Sequence, residues 1–164
     1  NEHAMAWITQ AQPTVVVLHA VWNTYPDVLV ALSNTLQAIQ SQAPHSRVLV
    51  VGGVPQWSPE LPSVLVRSRV RLEASALGTQ LANAALAPIQ KADTIVADIS
   101  RQHGASFFSP TQALCEQGRC IALAQADGKV MPYAWDYGHL TLAGATDLST
   151  RMARQWPTLS PKLD

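Results

Sequence analysis

Thr14-Val15-Val16-Val17-Leu18-His19-Ala20 is a continuous apolar, mostly β-branched run with Pro13 in front of it. Such a run reads as a strand buried on both faces, as in a parallel sheet, rather than as a strand with one wet face. The flanking segments read as helices. Glu2 to Gln12 sets Met5, Ala6 and Ile8 among polar residues, and Pro13 ends it. Pro26 to Gln42 opens with proline at a first-turn position and carries Val28, Leu29, Ala31, Leu32, Leu36 and Ile39 as a wide apolar stripe. Arg47 to Gly53 is a second buried strand. Strands alternating with helices imply an α/β chain with a mostly parallel sheet.

Further along the chain the signals are mixed. Leu61 to Arg71 holds a helical turn or a connector, with Arg67, Arg69 and Arg71 on a solvated face. Ala76, Leu77, Leu81, Ala84, Ala85 and Ile89 predict a mostly helical Ala74 to Ala92, broken near its end by Pro88. Thr94 to Asp98 reads as a short third strand and Ile99 to Phe108 as a loop. Ser109-Pro110 looks like a cap and first position for a helix from Thr111 to Cys115 that ends at Gly118. Cys120 to Ala124 and Lys129 to Tyr133 predict a hairpin around Asp127-Gly128. A last helix runs from Thr141 to Trp156, followed by a loose tail, residues 157–164. The expected fold is a three-layer α/β/α sandwich, flavodoxin-like, with residues 1–156 in one domain. About three parallel strands are few for a sheet that usually holds roughly 5–6. Together with the abrupt opening in a helix, this leads us to expect that an N-terminal portion lies outside the sequence.

Composition excludes several classes of function. The chain has 164 residues, 48% hydrophobic and 13% charged, with a formal net charge of zero. No electrostatic footprint for nucleic acid or anionic lipid follows from that balance. No apolar run reaches the ~20 residues of a membrane helix, and no signal peptide opens the chain, so any export element lies outside this sequence. Gly52-Gly53 is not followed by a phosphate-loop pattern, which leaves a cytosolic nucleotide-binding reading without support. Cys115 and Cys120 are the only cysteines. No further Cys or His pair sits at ligand spacing, so no metal site is expected and no cofactor is implied. Two reduced thiols are one reading. A short disulfide loop around Gly118 is the favoured one, and it points to an oxidising compartment.

Two stretches carry candidate chemistry. In Ala134-Trp135-Asp136-Tyr137-Gly138-His139-Leu140-Thr141-Leu142-Ala143-Gly144-Ala145, an Asp and a His stand three residues apart just before a helix. On a tight turn the carboxylate can accept the Nδ1–H, fix the tautomer and leave Nε2 as a base. Asp136 as a plain helix cap is the structural alternative. The second stretch, Val21-Trp22-Asn23-Thr24-Tyr25, leaves the carboxyl end of the first strand, where ligands bind in open α/β sheets. Trp22 and Asn23 are site candidates on position alone, with core packing and a turn as their alternatives.

Four stretches, in order, resemble the SGNH domain fused to the C-terminus of family 3 membrane acyltransferases. Val15 to Tyr25 is similar to its strand ending in a Trp-containing turn. Val48-Leu-Val-Val-Gly-Gly-Val-Pro55 matches its strand ending in Gly-x-Val-Pro, and Leu114-Cys-Glu-Gln-Gly-Arg-Cys120 its two-cysteine element. Tyr133 to Ala145 follows its Tyr-x-x-Asp-x-x-His-Leu-Ser-x-x-Gly-Ala signature, with Thr141 in place of Ser. The resemblance implies a Ser-His-Asp mechanism with Asp136 as orienter and His139 as general base, transferring or removing acetyl groups on a bacterial surface glycan such as O-antigen. It implies a soluble domain at the periplasmic face of the inner membrane, joined to an N-terminal acyltransferase membrane domain, with glycan as its partner and no nucleic acid. The family's Gly-Asp-Ser is absent. Gly104-Ala105-Ser106 is in the wrong order and context, so Ser106 reads as a loop residue. Either the nucleophile lies outside this chain, the favoured reading, or the protein is degenerate; in both cases this chain alone should be inactive. The family's Gly-x-Asn-Asp turn, which supplies oxyanion donors, reads Ala20-Val21-Trp22-Asn23 here, so the resemblance implies an oxyanion or substrate-binding role for Trp22 and Asn23 at a turn that departs from the pattern. A non-catalytic carbohydrate-binding module, with Trp22, Trp57, Trp135 and Tyr137 stacking on sugars, is the other reading.

Overall fold

The computed structural model describes residues 2–23 and 26–159, and the chain forms two compact units. The first comprises residues 1–53, 91–109 and 156–164; the second comprises 54–90 and 110–155.

The first unit is built on α1 (Glu2–Ala11), β1 (Val15–His19), α2 (Pro26–Gln42) and β2 (Arg47–Val51). β1 pairs parallel to β2 from Val15↔Arg47 to His19↔Val51. The apolar stripe of α2 buries Leu32, Leu36 and Ile39. Ile39 meets Ile8 of α1 and Val16 of β1, while Leu32 and Leu36 pack with Val50 of β2. The third parallel strand is β4 (Ser106–Phe108), which pairs with β2 through Leu49↔Ser106 and Val51↔Phe108. The strand order is β1-β2-β4, so β1 is an edge among the described residues. Its Val17 is exposed, and the run expected to be buried on both faces is buried on one.

The segment expected as the third strand lies in a helix instead. α4 runs Leu86–Gln102 and takes in Thr94 to Asp98. Ala92, Val96 and Ser100 are buried while Thr94, Ile95 and Asp98 are exposed, a fourfold spacing that five residues read alone could not reveal. The expected helix over Ala74 to Ala92 is correspondingly divided. A 3₁₀ turn (Ala74–Ala76) leads through Gly78, at φ 85°, to β3 (Gln80–Ala82). Asn83 then accepts the Ala85 amide just ahead of α4. Pro88 stands third in α4, inside the first turn, where a missing N–H forfeits no helical bond. The proline starts this helix instead of breaking it.

Asp93, on α4, is 4% exposed and closes the end of the first unit's sheet. It accepts the Gly53 amide at 2.8 Å and the Ser109 hydroxyl at 2.6 Å. Gly52 leaves the room for it. A Cβ there would come within 2.5–2.9 Å of the carboxylate atoms.

In the second unit, α3 (Leu61–Arg67) opens a core shared with Trp57, Leu86, Leu114, Leu123 and Tyr133. Arg67, Arg69 and Arg71 are exposed. α5 (Pro110–Leu114) is followed by β5 (Cys115–Glu116) and β6 (Arg119–Ile121), turning at Gln117-Gly118 with both φ positive. That conformation suits the twist of a two-residue hairpin. β3, β6 and β5 form an antiparallel sheet in that order. Cys115 and Cys120 face each other in register and are joined by a disulfide, so neither thiol is free. The hairpin expected around Asp127-Gly128 forms as β7 (Leu123–Ala126) and β8 (Lys129–Pro132). α6 (Leu142–Leu159) extends three residues into the expected tail, and residues 160–164 lie outside the described residues.

Candidate active site

The residues from Tyr133 to Thr141 form a closed turn between β8 and α6. Ala134 and Leu140 make an antiparallel bridge. The Trp135 amide donates to the His139 carbonyl at 3.0 Å, and the Thr141 amide to the Tyr133 carbonyl at 3.1 Å. From outside the turn, the Trp57 amide donates to the Tyr137 carbonyl at 2.6 Å and the Leu61 amide to that of Asp136 at 3.3 Å. The Pro-rich loop after Gly53 thus serves to hold the turn, and Trp57 is buried in the core.

Thr141 starts α6. Its hydroxyl donates to the Pro132 carbonyl at 2.7 Å and accepts the Gly144 amide at 3.1 Å. This is helix capping by a hydroxyl, which either Ser or Thr can supply. Gly144 lies against Tyr133, and a Cβ there would fall inside contact distance of the Tyr133 carbonyl oxygen. Only glycine lets the helix start so close to the strand. Below the turn, the Tyr133 hydroxyl donates to Asp147 Oδ2 at 2.9 Å, and Arg151 Nε donates to the same oxygen at 2.7 Å. Burial, then the Asp147 carboxylate, pushes the Tyr133 phenol well above its usual range, so it stays neutral. The hydrogen bond to Asp147 likewise raises Arg151. Sequence reasoning missed this clamp. Asp147 and Arg151 at a four-residue helical spacing were a legible ion pair, but nothing local joined them to Tyr133.

Asp136 and His139 meet as the spacing predicts. Asp136 Oδ1 accepts the amides of Gly138 at 2.9 Å and His139 at 2.8 Å, and Oδ2 lies 2.6 Å from His139 Nδ1. Desolvation raises the carboxyl's pKa, but the two amides and the imidazole outweigh it and hold it at about 2. A carboxylate so held only accepts, so the proton of the neutral ring sits on Nδ1 and the lone pair on Nε2. The His139 side chain is 61% exposed. Trp135 and Tyr137 flank the imidazole, with ring centroids 5.7 and 5.3 Å away.

The other candidates fall elsewhere. Trp22 and Asn23 belong to the first unit. Trp22 is buried among Leu32, Leu36, Val50, Ala92 and Val96, and its indole N–H donates to the Val51 carbonyl at 2.8 Å. Its ring packs in the core, the structural alternative for this residue, and its N–H donor is used. Asn23 is exposed, and Thr24 and Tyr25 lie outside the described residues. Ser106 pairs in β4 instead of lying in a loop. No three His, Cys, Asp or Glu side chains gather as a metal would require among the described residues. None of the described helices is long and apolar enough to cross a membrane.

The family model of the SGNH domain fused to AT3 domains matches residues 1–154. The chain belongs to this SGNH family. No curated protein sequence matches it. This SGNH chain is similar in fold to the lipopolysaccharide acetyltransferase periplasmic domain of Salmonella ser. Paratyphi A, with a TM-score of 0.76 and 24% identity over 96% of this chain and 62% of that one. It is also similar to a peptidoglycan O-acetylesterase, with a TM-score of 0.65 and 15% identity over 96% of this chain and 41% of that one. The SGNH chain spans less than two thirds of either neighbour. Both neighbours share its α/β architecture with helices on a parallel sheet.

Proposed function

We propose that Asp136 and His139 are the orienter and general base of a Ser-His-Asp acyl-transfer device acting on acetyl esters of a bacterial surface glycan. The observation that carries this reading is the 2.6 Å contact between Asp136 Oδ2 and His139 Nδ1, which leaves Nε2 basic on an exposed ring. The nucleophilic Ser comes from residues outside this sequence. Its Oγ attacks the acyl carbonyl while its proton passes to Nε2, and the leaving oxygen then takes that proton. A sugar hydroxyl or water attacks the acyl-serine in the second half, again giving its proton to Nε2, and Ser Oγ leaves with it. Asp136 stays ionised throughout and stabilises the imidazolium. The domain works at the periplasmic face of the inner membrane, beside the acyltransferase domain to which its family is fused. The likeness to a periplasmic lipopolysaccharide acetyltransferase domain supports the compartment, both neighbours support the substrate class, and the disulfide suits that compartment.

The test is acetyl transfer and acetyl release by the full-length protein with His139→Ala. The expected result is a loss of at least about 10³-fold in rate with the melting temperature retained. A variant that keeps wild-type rates sinks the catalytic reading and leaves a carbohydrate-binding module.

A further inference from the structure

We infer that Trp135 and Tyr137 form a stacking platform that seats one pyranose ring of the glycan beside His139. The choice of a glycan rests on the acyl-transfer reading; the platform itself rests on where the rings are. Of the four aromatic residues that sequence made candidates for sugar contact, the fold withdraws two. Trp22 and Trp57 are buried and packed. Trp135 and Tyr137 are 63% and 48% exposed, and they lie next to the same imidazole.

Neither exposed ring is needed to build the turn. The hydrogen bonds that close it run through the backbone of both residues, and the side chains that fill the core beneath it are Tyr133 and Ala134. What sets these two apart from other exposed apolar residues is that both rings lie against one imidazole. The backbone bonds fix where both side chains leave the turn, which lowers what a stacking sugar has to order. A pyranose suits them chemically. It has an apolar C–H face that a flat ring can cover and a rim of hydroxyls that stays polar. A sugar laid on Trp135 or Tyr137 brings that rim towards the imidazole, where a hydroxyl can exchange its proton with Nε2. The two rings thus serve as specificity determinants for the sugar, while proton transfer belongs to His139.

The sugar can come from the O-chain of lipopolysaccharide or from the glycan strand of peptidoglycan. The experiment is a titration of the full-length protein, without acyl donor, with purified O-polysaccharide fragments in one arm and peptidoglycan glycan fragments in the other, both freed of O-acetyl groups. Binding is read by calorimetry and by quenching of tryptophan fluorescence. One arm is expected to bind, and the arm that binds names the source. Trp135→Ala weakens that binding about 10-fold, Tyr137→Ala weakens it less, and Trp135→Phe restores most of it. The proposal is overturned if neither fragment binds at millimolar concentration, or if Trp135→Ala and Tyr137→Ala bind as tightly as wild type. Ring-dependent binding with acetyl transfer surviving His139→Ala would discard the base and keep the platform. Ring-independent binding with transfer lost in His139→Ala would do the opposite.

Discussion

Two carboxylates in this chain make similar hydrogen bonds in opposite surroundings. Asp136 accepts two backbone amides and an imidazole on an open turn, and Asp93 accepts a backbone amide and a hydroxyl in the interior of the first unit. Both sets of bonds use the carboxylate oxygens as acceptors. Burial separates their roles. Asp93 is sealed by Gly52, Gly53 and Ser109, so it can only hold the sheet end together. Asp136 meets an imidazole that solvent can reach. The same hydrogen-bond pattern thus serves a buried strut in one unit and leaves an accessible imidazole nitrogen in the other.

Substitution can break this contrast. The largest effect is expected from Asp136→Asn. The Asn oxygen can still accept the two amides, so the turn and the melting temperature should be retained. Its amide group would face Nδ1 as a donor, moving the ring proton to Nε2 and removing the base. Acetyl transfer by the full-length protein should fall about 10³- to 10⁴-fold. Retained activity would mean that Asp136 is a turn residue like any Asx cap. Gly52→Ala should act oppositely, on the fold. Its methyl would displace the Asp93 carboxylate and its bonds to Gly53 and Ser109, costing about 2–4 kcal/mol in thermal or urea unfolding. An unchanged melting temperature would show that the buried carboxylate is not a strut.

The smallest effect is one of pH. Asp136 is shifted from 3.8 down to about 2 in the folded chain. Below its unfolded value the unfolded chain takes up a proton that the native carboxylate refuses. Its contribution to stability is therefore complete above about pH 4 and is lost as pH falls towards 2. Wild type should lose more stability across this window than Asp136→Asn does, measured by urea unfolding at pH 5, 3 and 2. Parallel curves would mean that the carboxylate gains nothing from its partners.

Much of this arrangement was legible in the sequence. Each half of the Asp136-His139 pair is three residues from the other, so the contact needed only a local turn, and the Asp127-Gly128 hairpin needed only two positive φ angles. The α4 region was not legible. Thr94 to Asp98 is apolar and β-branched enough for a strand, and the buried spacing that makes it a helix depends on which side meets the sheet. Trp22 follows a strand end, where a site is reasonable, but its fate was set by Val51 and α2, which approach from elsewhere in the chain.

The sequence by itself determined the parallel α/β class, the Asp136-His139 contact and the family, because these depend on composition, short spacings and order along the chain. Tertiary structure alone decided which strand is third, which tryptophans are spent on the core, and which carboxylate is sealed. These depend on burial, and burial is a property of what the rest of the chain brings to each residue.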